Sequence, residues 1–526
     1  MGKKVHKGKS QGSVFNTVLI SGGLGLSKIM GFLRETIIAA YFGASYLVDA
    51  FLVAQMIPQA LFSVIGSSLT TAVVPLVTEY KEKKGFASVL TFVNSITTIM
   101  LAICTGLVLL GWLGADIIVR LVAPGFGGAA FDLAVKLTYI MFPMIIGLGL
   151  AGLGSGILMS QKRFFYPSFI GIPYNLVLII ALIIGAKKWG IYGLAVATVV
   201  AVAAQWLFQV PDLRRGGFIF RPHIDWKHPG LKQMFKLIIP VTISTGAGQF
   251  NLLINRLLAS GLIEGSIAAL NYANKLNNLA YGVIGLAVAR AVYPEMSEAA
   301  VLEDKEKFLK SLYRSVNSLL LIMLPFAVGM MILRDPLVRV VYQRGAFDDQ
   351  AAGLTMTAVL FYAVGMPFLS VRDIVLRAFY ALQDTLTPMK VALFTVAINV
   401  GLNLILVRYL AHGGLALGSS IAAIAGFFIL LWKLRRKMGR IKASLMLASG
   451  LKILFAAALM GGVVYGELSW LQTVGGGALW KLVILLGCGA SGILVYGLLV
   501  KMLQVEEFDI LYRKLAGKSR PKAASQ

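Results

Sequence analysis

Apolar runs of roughly 20 or more residues, each long enough to cross a hydrocarbon core about 30 Å thick, succeed one another along almost the whole chain. Short polar or basic tracts separate them, and the alternation predicts an all-α polytopic membrane protein of about fourteen transmembrane helices. An even number of spans places both termini on one side. Lys3-Lys4, Lys81 to Lys84, Arg214-Arg215 and Lys433 to Arg440 all fall on that side, so the positive-inside rule predicts cytoplasmic termini.

The chain resembles itself at one fixed offset. The tract Ala123-Pro124-Gly125-Phe126 recurs as Arg344-Gly345-Ala346-Phe347, with Phe126 and Phe347 separated by 347 − 126 = 221 positions. Pro167 and Pro388 share that offset (388 − 167 = 221), as do Gly193-Leu194-Ala195 and Gly414-Leu415-Ala416 (414 − 193 = 221). Six helices per half restore the same orientation, so this is a parallel repeat about an axis along the membrane normal. The expected organisation is a cytoplasmic tail (1–13), an N-lobe of six spans (14–210) and an amphipathic cytoplasmic linker (211–233). A C-lobe of six spans (234–435), two additional C-terminal helices (449–503) and a second cytoplasmic tail (504–526) follow. The linker carries Arg214, Arg215, Arg221 and Lys227 among Phe218, Phe220 and Trp226, a composition suited to the membrane surface.

Composition sharpens this picture. Hydrophobic residues make up 58% of the 526, charged ones only 14%, and mean hydropathy is +0.81, far from the roughly 25% charged residues of a soluble chain. The net charge of +26 raises nucleic acid as a partner, but the cations sit beside apolar runs, where anionic lipid is the natural neighbour. No nucleic acid is expected. The two cysteines, Cys104 and Cys488, lie inside apolar runs and read as packing residues. His6, His223, His228 and His412 fall in tails or loops without metal-ligand spacing. No cofactor and no enzymatic activity are expected.

Charges inside spans are the candidate chemistry, because each costs about 2.5 to 3.5 kcal/mol on insertion scales and so tends to face a cavity. The first span holds Lys28, Arg34 and Glu35, with Gly22, Gly23, Gly25 and Gly31 available for a kink or a close helix approach. Asp49 opens the second span, either as a functional acid or as a helix-start residue. In the eighth, Asn271, Asn274 and Asn278 share one face with Lys275 adjacent. Arg256 and Arg290 add cations. This excess suits an anionic ligand such as a phosphate, whereas an exporter of organic cations would carry buried carboxylates. Asn399 and Asn403, at i and i+4 in the eleventh span, read as interhelical hydrogen-bonding groups or as sodium ligands.

Gly31-Phe32-Leu33-Arg34-Glu35, Phe42-Gly43-Ala44, Asp49-Ala50-Phe51 and Ile57-Pro58 resemble the opening of the MurJ (MviN) family of lipid II flippases. So do Tyr272-Ala273-Asn274-Lys275-Leu276, the two repeated tracts, and the long run from Arg377 to Pro388. The resemblance implies a fold of the multidrug/oligosaccharidyl-lipid/polysaccharide (MOP) exporter type with alternating access. The implied cargo is lipid II, the undecaprenyl-pyrophosphate-linked peptidoglycan precursor, carried from the inner to the outer leaflet of the bacterial cytoplasmic membrane. By motif position it implies head-group contacts at Lys28, Arg34, Asp49, Lys275, Asn274 and Asn278. Asn399, Asn403 and Ser419 become sodium ligands by position, with coupling to a sodium ion or to the membrane potential. Membrane lipids and cell-wall synthesis proteins are the further implied partners. Lys28 and Lys275 stand where family members carry arginine, and Phe62 where many do. The alternatives are a flippase for another undecaprenyl-linked glycan and a MATE-like small-molecule exporter.

Overall fold

The computed structural model describes residues 5–225, 228–282, 296–439 and 443–509, and among these no strand occurs. The first half supplies α1 (Val5–Phe42), α2 (Tyr46–Leu113), α3 (Ala115–Val122), α4 (Gly128–Met141), α5 (Met144–Ser160), α6 (Phe165–Phe169) and α7 (Gly171–Arg215). Then come α8 (Pro229–Ser260), α9 (Ser266–Ala280), α10 (Lys305–Ile332), α11 (Arg334–Tyr342) and α12 (Asp349–Ala381). The chain ends with α13 (Leu386–Met438), α14 (Ala443–Thr473) and α15 (Ala478–Met502).

Three of these helices are longer than one membrane crossing because each is a hairpin. In α2 the chain reverses at Gly85, φ +79°, and the rings of Tyr80 and Phe92 stack with centroids 5.5 Å apart, where straight helix would hold them about 18 Å apart. In α7 it reverses at Gly190, φ +54°, and Gln205 Nε2 donates to the Ile170 carbonyl at 3.3 Å. In α13 it reverses at Ala411, φ +47°, and Asn399 Nδ2 reaches Ser419 Oγ at 3.4 Å, against about 30 Å in a straight helix. Eight stretches among the described residues are long and apolar enough to cross a membrane, and α4 with α5, bent by 44°, makes a ninth. Two of the eight, Phe165–Arg215 and Leu386–Met438, are hairpins that each fold two expected spans into one stretch. The span expected at 267–297 runs into residues outside those described, and Arg290 lies among them.

The repeat is written into the backbone. Gly190 and Ala411 share the 221 offset (411 − 190), and so do the left-handed Lys162 (φ +61°) and Gln383 (φ +58°) (383 − 162). The hydrogen bonds closing those last two turns also match: Arg163 N to Leu158 O and Asp384 N to Phe379 O, both 2.9 Å. Left-handed backbone is costly for a residue with a Cβ, so its recurrence at equivalent non-glycine positions marks a shared turn geometry.

By packing, the chain divides into two compact units, Met1–Ala268 with Gly345–Phe347, and Ala269–Arg344 with Asp348–Gln526. Helix α8, expected to open the C-lobe, packs with the first: Leu231 and Met234 join a buried cluster with Phe92, Ile96, Cys104 and Leu158. In the second unit α14 and α15 form a cluster of Ala456, Met460, Val464, Ile484 and Cys488 against Leu321 of α10. Tyr496 Oη donates to Leu321 O at 2.7 Å, and Asn317 Nδ2 to Glu507 Oε1 at 2.8 Å. Both cysteines are buried and free.

Candidate substrate-engaging site

The first-span glycines form a seam, not a kink. Gly23, Ser27 and Gly31, four residues apart on α1, lie against α6 and the start of α7. A Cβ at Gly23 would stand 2.7 Å from the Ser168 carbonyl, and one at Gly171 2.8 Å from Ser27 Oγ. Small residues at this spacing let two helix backbones meet closely. Gly22 and Gly25 face open space.

Asn175 closes the end of the seam. Its Nδ2 donates to the carbonyls of Ser27 (3.2 Å) and Gly171 (2.8 Å), and its Oδ1 accepts from Arg34 Nη1 at 2.8 Å. The other arm of the Arg34 guanidinium donates to Glu35 Oε1 at 2.6 Å, and its carbon lies 5.3 Å from the Tyr174 ring centroid. Gln55 Nε2 in turn donates to Tyr174 Oη at 3.2 Å. Arg34 and Glu35 side chains are 13% and 7% exposed, so Arg34 is held in the wall by a carboxylate, an amide and a ring. The adjoining cavity, between Arg34, Glu35, Gln55, Phe51 and Leu178, holds about 10 Å³, the space of about one water. Lys28 is exposed on the same helix, about 9 Å along the axis and about 120° round from Arg34.

Asp49 lies in the first turn of α2, where the helix-start reading puts it, and its carboxylate also reaches a second helix. The carboxylate is 4% exposed and accepts from Gly265 N at 2.8 Å and Ala268 N at 2.7 Å. It caps the first turn of α9 from across the structure, satisfying two N–H groups that a helix start leaves open. Arg256 Nη1 donates to the Ile267 carbonyl at 3.2 Å in the same turn. Two flanking contacts complete this closure. Gly125 N donates to Ser260 Oγ at 3.1 Å, with a Cβ at Gly125 only 2.3 Å from Gly261 Cα. Ala346 N donates to the Ala40 carbonyl at 2.8 Å, and Gly345, φ +61°, would drive a Cβ to 2.2 Å from that oxygen. The repeated tracts 123–126 and 344–347 are thus docking loops. Asp348, beside the second, caps α12 by accepting from Ala351 N at 2.8 Å.

Lys275, Asn274 and Asn278 lie on α9 in the second unit. Asn278 donates to Asn274 Oδ1 one turn away, and Lys275 is half-buried. Asn399, Asn403 and Ser419 do come together across the α13 hairpin. Asn403 Nδ2 donates to Asn399 Oδ1 at 3.1 Å, Asn399 Nδ2 to Ser419 Oγ, and Ser419 Oγ to Leu415 O at 2.9 Å. The trio thus forms an interhelical hydrogen-bonded group across the hairpin, with Asn403 Oδ1 buried and accepting no hydrogen bond among the described residues. His412, expected in a loop, is buried at the hairpin apex with Nε2 2.9 Å from the Leu354 carbonyl. Among the described residues no group of three or more His, Cys, Asp or Glu could hold a metal. Gln55, Tyr174 and Asn175 were not singled out from sequence. The available signal was polar side chains inside apolar spans.

A family model described as lipid II flippase MurJ matches residues 38–484. The chain is 31% identical over 435 residues to the lipid II flippase MurJ of Burkholderia cenocepacia, covering 81% of this chain and 84% of the relative. It is 30% identical over 498 residues to the probable lipid II flippase MurJ of Rhizobium tropici, covering 92% of each. A solved lipid II flippase MurJ in an inward closed conformation superposes with TM-score 0.79 at 26% identity, over 95% of this chain and 100% of that one. An inward-facing multidrug resistance MATE family transporter of the MOP superfamily gives 0.67 at 16% identity, over 81% and 99%, which speaks to the fold alone.

Proposed function

The chain belongs to the MurJ family of lipid II flippases, and from that premise we propose that it carries lipid II from the inner to the outer leaflet of the bacterial cytoplasmic membrane by alternating access. It is a multi-pass membrane transporter and not an enzyme. Both termini are cytoplasmic in this reading, which the basic tracts support.

The observation that carries the proposal is Arg34. A guanidinium stays charged in any protein environment, and this one is kept within a membrane helix by Glu35 and Asn175. Exchanging Glu35 for a pyrophosphate oxygen would replace one charge-assisted hydrogen bond by another. Lys28, Lys275, Asn274 and Asn278 supply further head-group contacts in the same reading. Asp49 acts in this reading as a latch on the turn at 265–268, through its hydrogen bonds to Gly265 and Ala268. Releasing its two backbone hydrogen bonds would be part of the switch in access. Coupling runs through the membrane potential, which acts on any charge moved across the bilayer, or through a sodium ion at the amide trio around Asn399.

Depleting the protein in a cell that depends on it, then measuring the leaflet distribution of lipid II, tests the proposal. Outer-leaflet exposure falls and is restored by the parent chain, while Arg34→Ala, made at normal level, restores none. Unchanged exposure on depletion overturns it.

A further inference from the structure

We propose that the end of α13 carries a binding site for the phosphate of an anionic lipid headgroup, formed by Arg435 and Arg436 with Trp432 as its platform. The Arg436 guanidinium lies 3.9 Å from the Trp432 ring centroid and Lys433 Nζ 5.1 Å from it, while the indole is itself 46% exposed. A large aromatic at a membrane boundary, stacked beneath a cation, orients the guanidinium without consuming its hydrogen-bond donors. Lys437 is spoken for by Asp384, at 2.7 Å. Arg435 and Arg436 are exposed and have no acidic partner among the described residues. Two forked donors beside an aromatic ring match a phosphodiester at headgroup depth.

The internal repeat supplies a built-in control. Leu213-Arg214-Arg215 at the end of α7 matches Leu434-Arg435-Arg436 at the 221 offset (434 − 213), with both leucines buried and all four arginines exposed. The surroundings differ. Pro211 replaces Trp432, and Asp212 replaces Lys433, placing next to the arginines a carboxylate that pairs with Arg163 at 2.6 Å. If these cations served only to set topology, the two pairs would be equivalent. A headgroup site requires the second pair alone.

The test titrates fluorescent short-chain phosphatidylglycerol into the full-length protein in uncharged detergent. Arg435→Gln with Arg436→Gln weakens binding about thirtyfold, at about fivefold per cation near the surface, whereas Arg214→Gln with Arg215→Gln changes it less than about twofold. Trp432→Ala weakens it about fivefold and Trp432→Phe retains most of it, a comparison that stands even if a double variant folds poorly. Phosphatidylcholine does not bind, and inorganic phosphate in excess does not displace the lipid. Equal loss from both arginine pairs, no loss from either, or displacement by inorganic phosphate overturns the proposal.

Discussion

The two halves of this chain share a backbone and differ in chemistry. Lys162 and Gln383 make the same left-handed turn, closed by the same hydrogen bond, and Gly190 and Ala411 reverse equivalent hairpins. Around the first of these turns each half also places one ion pair, with the polarity exchanged. Arg163 on the loop meets Asp212 near the end of α7; Asp384, the residue equivalent to Arg163 (384 − 163 = 221), meets Lys437 near the end of α13. The cations within the membrane keep different company: Arg34 sits in a network with Glu35 and Asn175, whereas Arg256, in the matching span α8, donates to the Ile267 carbonyl. A duplicated backbone fixes where helices turn, and side chains at equivalent positions then diverge to specialise each half.

Removing Asp49 tests whether the closure depends on one side chain, and its effect is the largest expected. Asp49→Ala leaves two buried N–H groups of α9 without their charged acceptor, costing about 3 kcal/mol or more. Asp49→Asn keeps one acceptor and costs about half as much. Thermal unfolding in detergent reads both, and an Asp49→Ala protein as stable as the parent would mean that the turn at 265–268 is held by something else. Next in size is the Arg34 network, which has no duplicate. Arg34→Lys keeps the charge but cannot serve Asn175 and Glu35 together, so lipid II translocation falls about tenfold. Asn175→Ala costs about 2 kcal/mol of stability. Equal activity of Arg34→Lys and parent would show that charge alone suffices.

Much of this was legible in the sequence, and the reasons are physical. Apolar runs and the 221 offset located spans and hairpins, because lipid forces backbone hydrogen bonds inward and leaves length and periodicity as the record. Arg34 was legible for the cost of a charge in a span. Asp49 was legible as a helix-start residue but its partners were not: the acceptors of a cap reveal their donors only in three dimensions, and Gly265 and Ala268 stand more than two hundred positions away. The placement of α8 escaped for a related reason, since the repeat specifies a helix's origin and not the neighbour it packs on. Asn399 and Asn403 looked the same from sequence whether they bind an ion or each other.

The seam offers a smaller contrast. Gly23→Ala pushes a methyl to 2.7 Å from a backbone carbonyl that cannot rotate away, and overpacking of this kind costs about 1 to 3 kcal/mol. Gly22→Ala, one residue earlier, meets nothing within 4 Å and gains about 0.5 to 1 kcal/mol from helix propensity. If both substitutions destabilise alike, the seam is not where α1 is held.

The reversed ion pairs give the smallest effect and the sharpest question. Lys437 and the Thr387 backbone N–H hold the Asp384 carboxyl down at about 2, below its unfolded value of about 3.9. The depressed group stabilises the fold above its unfolded value, and that contribution disappears as pH falls from about 4 through about 2. Lys437 is 43% exposed, so solvent screening leaves the pair worth less than about 1 kcal/mol. Asp384→Asn therefore lowers stability slightly at pH 7 and matches the parent near pH 2. Asp384→Arg with Lys437→Asp goes further, because it gives the second half the polarity of the first. If each pair only ties its own loop to its own helix end, the exchanged protein keeps both stability and translocation. Retained stability with lost translocation would mean that the opposite signs of the two halves matter to each other, and the divergence between them would be part of the transport cycle.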